Sequence, residues 1–171
     1  WWNDRVINTT SSRGKFKSTL KMNIQNAIKL GIKELKEKNI RSPFLDSEIL
    51  MSKAIGKERK YLILNSCEDL DLENYDYFKK LIKKRALGKP IAYLIGKKDF
   101  WKYEFDISEN VLIPRPDSEI LVQEFLKLNK NKFKLNVLDI GVGSGCMLLS
   151  ILKEKPSYYG TGVDINQSCI D

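Results

Sequence analysis

Between residues 22 and 88 the apolar residues recur with the period of an α-helix, about 3.6 residues per turn. The first helix is predicted from about residue 22, with its apolar residues on one face. These residues are Ile24, Ala27, Ile28, Gly31, Ile32 and Leu35. Ser42 and Pro43 supply an N-cap and a first-turn proline for a second helix, and Gly56 suits its C-terminal end.

Two further helices complete this region. The third is short, whereas the fourth begins near Asp71, a favourable N-cap, and ends near Gly88. The residues predicted to face the interior in the second and fourth helices are Leu45, Ile49, Leu50, Phe78, Leu81, Ile82 and the stem of Arg85, and the third helix contains Tyr61, Leu62 and Leu64. Four short amphipathic helices with brief connections predict a small helical bundle over residues 22–89.

After Pro90 the pattern changes from helical to alternating. Apolar and polar residues alternate after the Phe-Trp pair at residues 100–101, which predicts a β-hairpin linker over residues 90–110. Tyr103, Phe105 and Ile107 share one face of it. Pro116 suits the first turn of another helix. The predicted inner face of that helix is Leu121, Phe125 and Leu128.

The chain from residue 136 onward has the pattern of a β–α–β unit. Residues 136–140 form a short apolar strand, residues 141–145 a Gly-x-Gly-x-Gly turn, and residues 146–152 a segment compatible with a helix. A second strand, from about Tyr159 to Val163, ends on Asp164. The fold class is therefore α + α/β, with a bundle, a hairpin linker and, over residues 111–171, the first part of a Rossmann-like domain.

The glycine turn and the acid after the second strand predict a nucleoside-cofactor site. Glycine adopts φ values that side chains resist, and it lets a ligand approach the backbone closely. A helix N-terminus offers unpaired N–H groups to an anionic group, and Asp164 is placed to accept hydrogen bonds from a ribose diol. The dinucleotide fingerprint needs glycine at the position of Cys146. The tighter spacing resembles the first motif of class I S-adenosylmethionine-dependent methyltransferases, and NAD is the alternative.

Charge and composition narrow the function classes. The net charge is +8, much of it lysine spread along the predicted helices. Such lysines are typical of solvated faces, and the alternative is a basic surface for an acidic partner or RNA. The three cysteines are scattered and histidine is absent, so we predict no disulfide framework and no metal site. Neither a membrane-length apolar run nor a signal peptide is present, and we expect a cytoplasmic location.

Residues 1–21 differ from the rest of the chain because they show no apolar periodicity. They open with two tryptophans and include a polar, basic run through Ser11, Arg13, Lys15 and Lys17, and Met22 stands directly before the first periodic segment. We predict an unstructured extension here. We also expect Met22 to be the native start.

Several motifs in order along the chain resemble the release-factor glutamine methyltransferases, the PrmC/HemK family. They include Ser-Pro-x-Leu-Asp at residues 42–46, Arg-Ala-x-Gly-x-Pro-Ile-Ala-Tyr-Leu-x-Gly at residues 85–96 and Asp-Phe-Trp at residues 99–101. Val-Leu-Ile-Pro-Arg-Pro-Asp-Ser-Glu at residues 111–119 is the most discriminating, and Val-Leu-Asp-Ile-Gly-x-Gly-Ser-Gly-Cys follows at residues 137–146. The resemblance covers residues 22–171.

The resemblance implies a substrate-docking bundle, a linker and a Rossmann-like domain that binds S-adenosylmethionine. The enzymes of the family methylate the glutamine side-chain nitrogen of the Gly-Gly-Gln motif in class I peptide chain release factors, which would be the protein partner. The resemblance implies that Asp164 holds the cofactor's ribose. The implied cofactor contacts along the loop are Gly141, Val142, Gly143, Ser144 and Gly145. Phe100, Pro114, Arg115 and Glu119 are implied to line the neighbouring pocket.

Other interpretations stay open for some of these residues. Phe100 and Trp101 are also explained by packing in the core of the hairpin, and Arg115 and Glu119 by a structural ion pair that orients the linker. Val142 and Ser118 stand where threonine is common in the family. Val142 has little effect if residue 142 acts only through its backbone, and the alternative is that a hydroxyl contact is lost.

The family's catalytic Asn-Pro-Pro-Tyr motif does not occur in this sequence. We therefore assign no catalytic residue, and we expect the chain to be C-terminally incomplete and inactive by itself. One competing function is a nucleic-acid N-methyltransferase, acting on adenine or ribosomal RNA, although the bundle and the Ile-Pro-Arg-Pro segment argue against direct nucleic-acid binding. A second competing function is a non-enzymatic binding module built on the bundle.

Overall fold

A computed structural model describes residues 22–170, so the predicted extension at residues 1–21 lies outside the described residues. The first part of the described chain is helical, as the sequence predicts. The helices are α1 (Ile24–Glu37), α2 (Pro43–Ile55), α3 (Arg59–Leu64), α4 (Leu72–Ala86) and α5 (Ile91–Ile95). The short α5 was not predicted. Its Leu94 is buried with α2 and α4 residues, so α5 belongs to the bundle.

The predicted helix boundaries agree with the structure at most ends. Asp71 caps α4 through its side chain, and Gly56 ends α2 in the left-handed conformation with φ 65°. Pro43 is the first residue of α2 and Ser42 is at the N-cap position, as predicted, but the Ser42 side chain makes no capping hydrogen bond to the described residues. Leu45 was predicted to be buried and is 43% exposed, because α2 turns its Asp46 and Ser47 towards α1 and α4 instead.

The bundle packs around a tight crossing of α1, α2 and α4. Gly31 lies at this crossing, where a Cβ atom would be 2.6 Å from the Ser47 hydroxyl and 2.8 Å from the Phe78 ring. The Ser47 hydroxyl donates a hydrogen bond to the Ile28 carbonyl at 3.1 Å. The glycine therefore lets the helices approach more closely than any side chain allows. The interior contains Ile24, Ala27, Leu35, Leu50, Met51, Ala54, Leu62, Phe78, Leu81, Ile82 and Leu94.

The hairpin consists of the antiparallel strands β1 (Lys97–Phe100) and β2 (Tyr103–Asp106), with Phe100 opposite Tyr103. Its turn residue Trp101 has φ 60°, which is unusual for a bulky side chain. The hairpin does more than link the two parts of the chain. Phe100, Phe105 and Ile107 are buried in a second core with residues of the following α/β part.

The α/β part begins with a short 3₁₀ turn at Pro116–Ser118 that leads into α6 (Glu119–Leu128). Strand β3 (Asn136–Ile140) continues through the glycine turn into α7 (Cys146–Glu154), and β4 (Tyr159–Val163) pairs parallel to β3. This β–α–β unit confirms the predicted fold class. The inner face of α6 is centred on the buried Val122, whereas Leu121 and Leu128 are exposed, which corrects the prediction for that helix.

Candidate functional site

The glycine turn after β3 has a backbone that only glycine adopts readily. Gly141, Gly143 and Gly145 have φ values of 83°, 55° and 73°, all in the left-handed region. The N–H groups of Gly141 and Val142 donate to the Val163 carbonyl at 2.8 and 3.0 Å. These bonds tie the turn to the end of β4, and Gly145 then begins α7 as its N-cap.

The outer surface of this turn is open. Apart from the chain neighbours of each glycine, a Cβ atom built on Gly141 meets no described residue within 4 Å, and one on Gly143 would meet only the Gly141 carbonyl and the Val111 side chain, at 4.0 Å. Ser144 is half-buried beside them. A ligand can therefore lie against the backbone of the turn without displacing a side chain of the described chain.

Asp164 follows β4 and faces the same turn. Its two carboxylate oxygens accept the N–H groups of Gly143 and Asn166, each at 2.9 Å. The bonds from Asn166 and then Gly143 hold the pKa of Asp164 below its ordinary value, so the group is a carboxylate at neutral pH. A carboxylate has about four lone-pair sites, which leaves acceptor capacity for the hydroxyl groups of a ligand.

A cleft of about 360 Å³ lies beside the glycine turn. Residues around the second hairpin strand form one side of it, and the turn together with the 3₁₀ helix Gln167–Cys169 forms the other. The lining residues are Gly96, Asp106, Ile107, Ser108, Val111, Gly143, Ser144, Ser168 and Cys169. The hairpin region thus supplies one wall of the candidate site.

Comparison with known proteins identifies the family. Residues 26–96 match the PrmC N-terminal domain. The release factor glutamine methyltransferase of Buchnera aphidicola subsp. Schizaphis graminum is 40% identical over 150 residues, which cover 87% of this chain and 53% of that protein. The chain belongs to the release factor glutamine methyltransferase family.

Further family relatives extend the comparison. The Caulobacter vibrioides release factor glutamine methyltransferase is 33% identical over 136 residues, which cover 80% of this chain and 47% of the relative. A bifunctional methyltransferase of Rickettsia bellii is 31% identical over 178 residues, which cover 89% of this chain and 32% of the relative. The chain spans about half the length of the release factor glutamine methyltransferases that it matches.

The four residues that the family resemblance assigns to a pocket differ in burial and in contacts. Phe100 is 1% exposed and packs edge-on against Phe105, with ring centroids 6.3 Å apart. Pro114 is buried, whereas Arg115 is exposed. Glu119 accepts the Trp101 backbone N–H at 2.9 Å. None of the four is among the described residues that line the cleft, and their role in a pocket stays a prediction.

Glu154, in the last turn of α7, is a residue that the sequence patterns do not single out. Its carboxylate accepts the Trp101 indole N–H at 3.1 Å and the Tyr103 hydroxyl at 3.2 Å, and it pairs with Lys102 at 2.8 Å. The bonds to Lys102 and then Trp101 lower the pKa of Glu154. Together with Glu119 it fixes the strained hairpin turn against α6 and α7.

Asp139 lies near the end of β3, and Ile140 separates it from the glycine turn. Its Oδ2 atom is buried and has no hydrogen-bond partner among the described residues. Burial raises the pKa of Asp139, because the charged form loses more hydration than the neutral form. The glycine turn is thus preceded by an acid whose pKa burial raises.

Replacing Asp139 by asparagine is expected to reduce the loss of stability with rising pH. The pKa of Asp139 is higher in the folded state than in the unfolded state. Its contribution to the free energy of unfolding is therefore fully present below the unfolded pKa of about 3.9 and is lost as the pH rises through the folded pKa. Urea unfolding at a series of pH values tests this. Asp117→Asn, at an exposed acid, is the matched control. The prediction is contradicted if the free energy of unfolding depends on pH in the same way in the wild type and in Asp139→Asn.

Metal clusters and membrane-spanning helices are both absent from the described residues. Within residues 22–170 no group of three or more histidine, cysteine, aspartate and glutamate side chains is arranged to hold a metal ion. Across the same residues, none of the helices has both the length and the apolar character needed to cross a membrane.

Proposed function

We propose that this protein takes part in S-adenosylmethionine-dependent methylation of the glutamine in the Gly-Gly-Gln motif of class I peptide chain release factors. The proposal is supported mainly by the open glycine turn, which faces the ionised Asp164. The chain is also related over most of its length to release factor glutamine methyltransferases. Since release factors act in translation, we also propose a cytoplasmic location.

The residues present fit S-adenosylmethionine. Because Gly141 and Gly143 have no Cβ atom, the space over their backbone stays open to the cofactor. Asp164 retains acceptor sites for ribose hydroxyls. The backbone of residues 141–145 would hold the methionine part of the cofactor. When bound, S-adenosylmethionine supplies a methyl group activated by a positively charged sulfur.

The chain's own residues bind and orient, and none is assigned a proton transfer. Methyl transfer to an amide nitrogen depends on holding the nitrogen in line with the methyl group and excluding water. The family resemblance places that task in an Asn-Pro-Pro-Tyr motif, which this sequence does not contain. We therefore expect no methyl transfer from the 171-residue chain alone. The bundle would contribute by docking the protein substrate, since remote contacts can orient a reacting group.

A methyl-transfer assay tests the proposal. The complete protein that carries this chain is incubated with S-adenosylmethionine bearing a tritiated methyl group, and three substrates are offered separately: a class I release factor, duplex DNA and ribosomal RNA. We expect label in the release factor alone. A release factor whose Gly-Gly-Gln glutamine is replaced by glutamate is the matched control and should remain unlabelled.

The same assay distinguishes a second candidate function, a nucleic-acid N-methyltransferase. The net charge of +8 favours this candidate, because lysines attract phosphates. Label that appears chiefly in DNA or ribosomal RNA would establish that function and reject the release factor as substrate.

A further inference from the structure

Three consecutive residues after the hairpin connect the bundle to the glycine turn. We name residues 109–111 the bracket segment. Glu109 forms an ion pair with Lys89, just beyond α4. Its neighbour Val111 is 6% exposed, and the Val111 carbonyl accepts the Tyr93 hydroxyl of α5 at 2.8 Å. The bracket segment is thus held from the bundle side at both of its ends.

The middle residue of the bracket segment is held from the opposite side. The Asn110 carbonyl accepts the side-chain N–H of Asn166 at 2.9 Å, across 56 residues of sequence. The backbone N–H of Asn166 in turn donates to Asp164, whose other oxygen accepts the Gly143 N–H. A continuous series of hydrogen bonds and peptide units therefore runs from Tyr93 in the bundle to Gly143 in the glycine turn.

A second contact brings the bracket segment to the same glycine. Among the described residues other than the chain neighbours of Gly143, Val111 has the only side chain that a Cβ atom on Gly143 would meet, at 4.0 Å. Val111 and Gly143 also line the same cleft. A displacement of the bracket segment would therefore move both a wall of the cleft and the anchor of Asp164.

We propose that Tyr93 and Asn166 are positioning residues, which hold Asp164 and Gly143 in a fixed place relative to the bundle through the bracket segment. The inference rests on the proposed function, in which Asp164 and the glycine turn bind the cofactor and the bundle docks the substrate. Its consequence is that the docked protein and the cofactor keep one mutual orientation. Neither residue belongs to the glycine motif, so the pattern that predicts the cofactor site does not include them.

Two substitutions remove one hydrogen bond each. Asn166→Ser loses the side-chain N–H that donates to the Asn110 carbonyl but keeps the backbone N–H that donates to Asp164. In the wild type the Ser168 N–H donates to the Asn166 side chain at 3.1 Å, and the serine hydroxyl can still accept this bond. Tyr93→Phe keeps the ring and its packing and loses only the hydroxyl. It therefore tests the attachment of the bracket segment to the bundle while the fold is preserved.

The first measurement needs no cofactor. Amide hydrogen exchange of Gly143 is followed by NMR in the unliganded chain, and each substitution is expected to speed it by about fivefold, the usual effect of one neutral hydrogen bond. The second measurement is calorimetric titration with S-adenosylhomocysteine in the complete protein. Its affinity is expected to fall by about fivefold in each variant.

The chain supplies matched controls for both changes. Asn129 donates its side-chain N–H to the Phe125 carbonyl at 2.9 Å, and the Tyr158 hydroxyl donates to the Asn129 carbonyl at 3.0 Å. Asn129→Ser and Tyr158→Phe therefore remove bonds of the same kind at the far end of α6. We expect Gly143 exchange and cofactor affinity in these two variants to equal the wild-type values.

Each outcome decides one question. Gly143 exchange that stays at the wild-type rate in Asn166→Ser and Tyr93→Phe, or that changes equally in the controls, overturns the inference. Faster exchange in those two variants alone supports it. If exchange changes in this way while even the wild-type protein fails to bind S-adenosylhomocysteine, the positioning is supported and the proposed cofactor site is rejected.

Discussion

Replacing Asp46 by alanine is expected to lower the free energy of unfolding by about 3–5 kcal/mol, because it leaves a buried guanidinium without its partner. Asp46 of α2 and Arg85 of α4 form an ion pair at 2.7 Å, and their side chains are only 6% and 17% exposed. Arg85 also donates to the Lys89 carbonyl at 3.1 Å. The pair thus joins two helices and the loop before α5.

A control substitution on the same helix separates burial from charge. Glu48 of α2 pairs with Arg59, but the side chains of this pair are 37% and 52% exposed. Exposed pairs of this kind contribute about 0–1 kcal/mol, so Glu48→Ala should have little effect. Urea unfolding followed by circular dichroism measures both variants. If Asp46→Ala and Glu48→Ala lower the free energy of unfolding equally, the buried pair contributes no more to stability than the exposed pair.

Asp164→Ala is expected to weaken S-adenosylmethionine binding by about tenfold or more while the helical bundle stays folded. The carboxylate would make charge-assisted hydrogen bonds to the ribose, and these are about twice as strong as neutral ones. The same substitution releases the Gly143 N–H from its acceptor, so the glycine turn also loses an anchor.

Calorimetric titration of the complete protein measures this effect. Asp164→Asn is the graded comparison, since it keeps one oxygen acceptor but loses the charge, and it should bind with intermediate affinity. Asp99→Ala removes an exposed acid of the hairpin and is the matched control. An unchanged affinity in Asp164→Ala contradicts the assignment of this acid to the cofactor.

Local sequence patterns were sufficient for most helices, strands and turns. Pro43 and Gly56 mark the ends of α2, because proline suits a first helical turn and glycine adopts the left-handed C-cap. The glycine turn after β3 was predicted for the same reason, since its conformation depends on the residues within it. The five-residue α5 was missed because it is too short to show a helical period.

Periodicity was less reliable for deciding which apolar residues are covered. Leu45, Leu121 and Leu128 follow helical spacing yet are exposed, whereas Val122 is fully buried. A period gives the angle between side chains around a helix, but the covered face depends on where the neighbouring elements lie. Phe100 illustrates the same limit, because only the packing of the hairpin decides between a core residue and a pocket residue.

The sequence by itself determined the order of elements apart from α5, the glycine turn, the acid after β4 and the family. The tertiary structure alone decided the hydrogen-bond partners of the polar side chains. Asp46 pairs with Arg85, which lies 39 residues away in the sequence, and the Trp101 indole donates to Glu154, 53 residues away. The Asn166 side chain donates to the Asn110 carbonyl, 56 residues away. The reason is physical. Backbone conformation responds to neighbours within a few residues, whereas a buried polar atom pairs with whatever group the packed chain brings within about 3 Å.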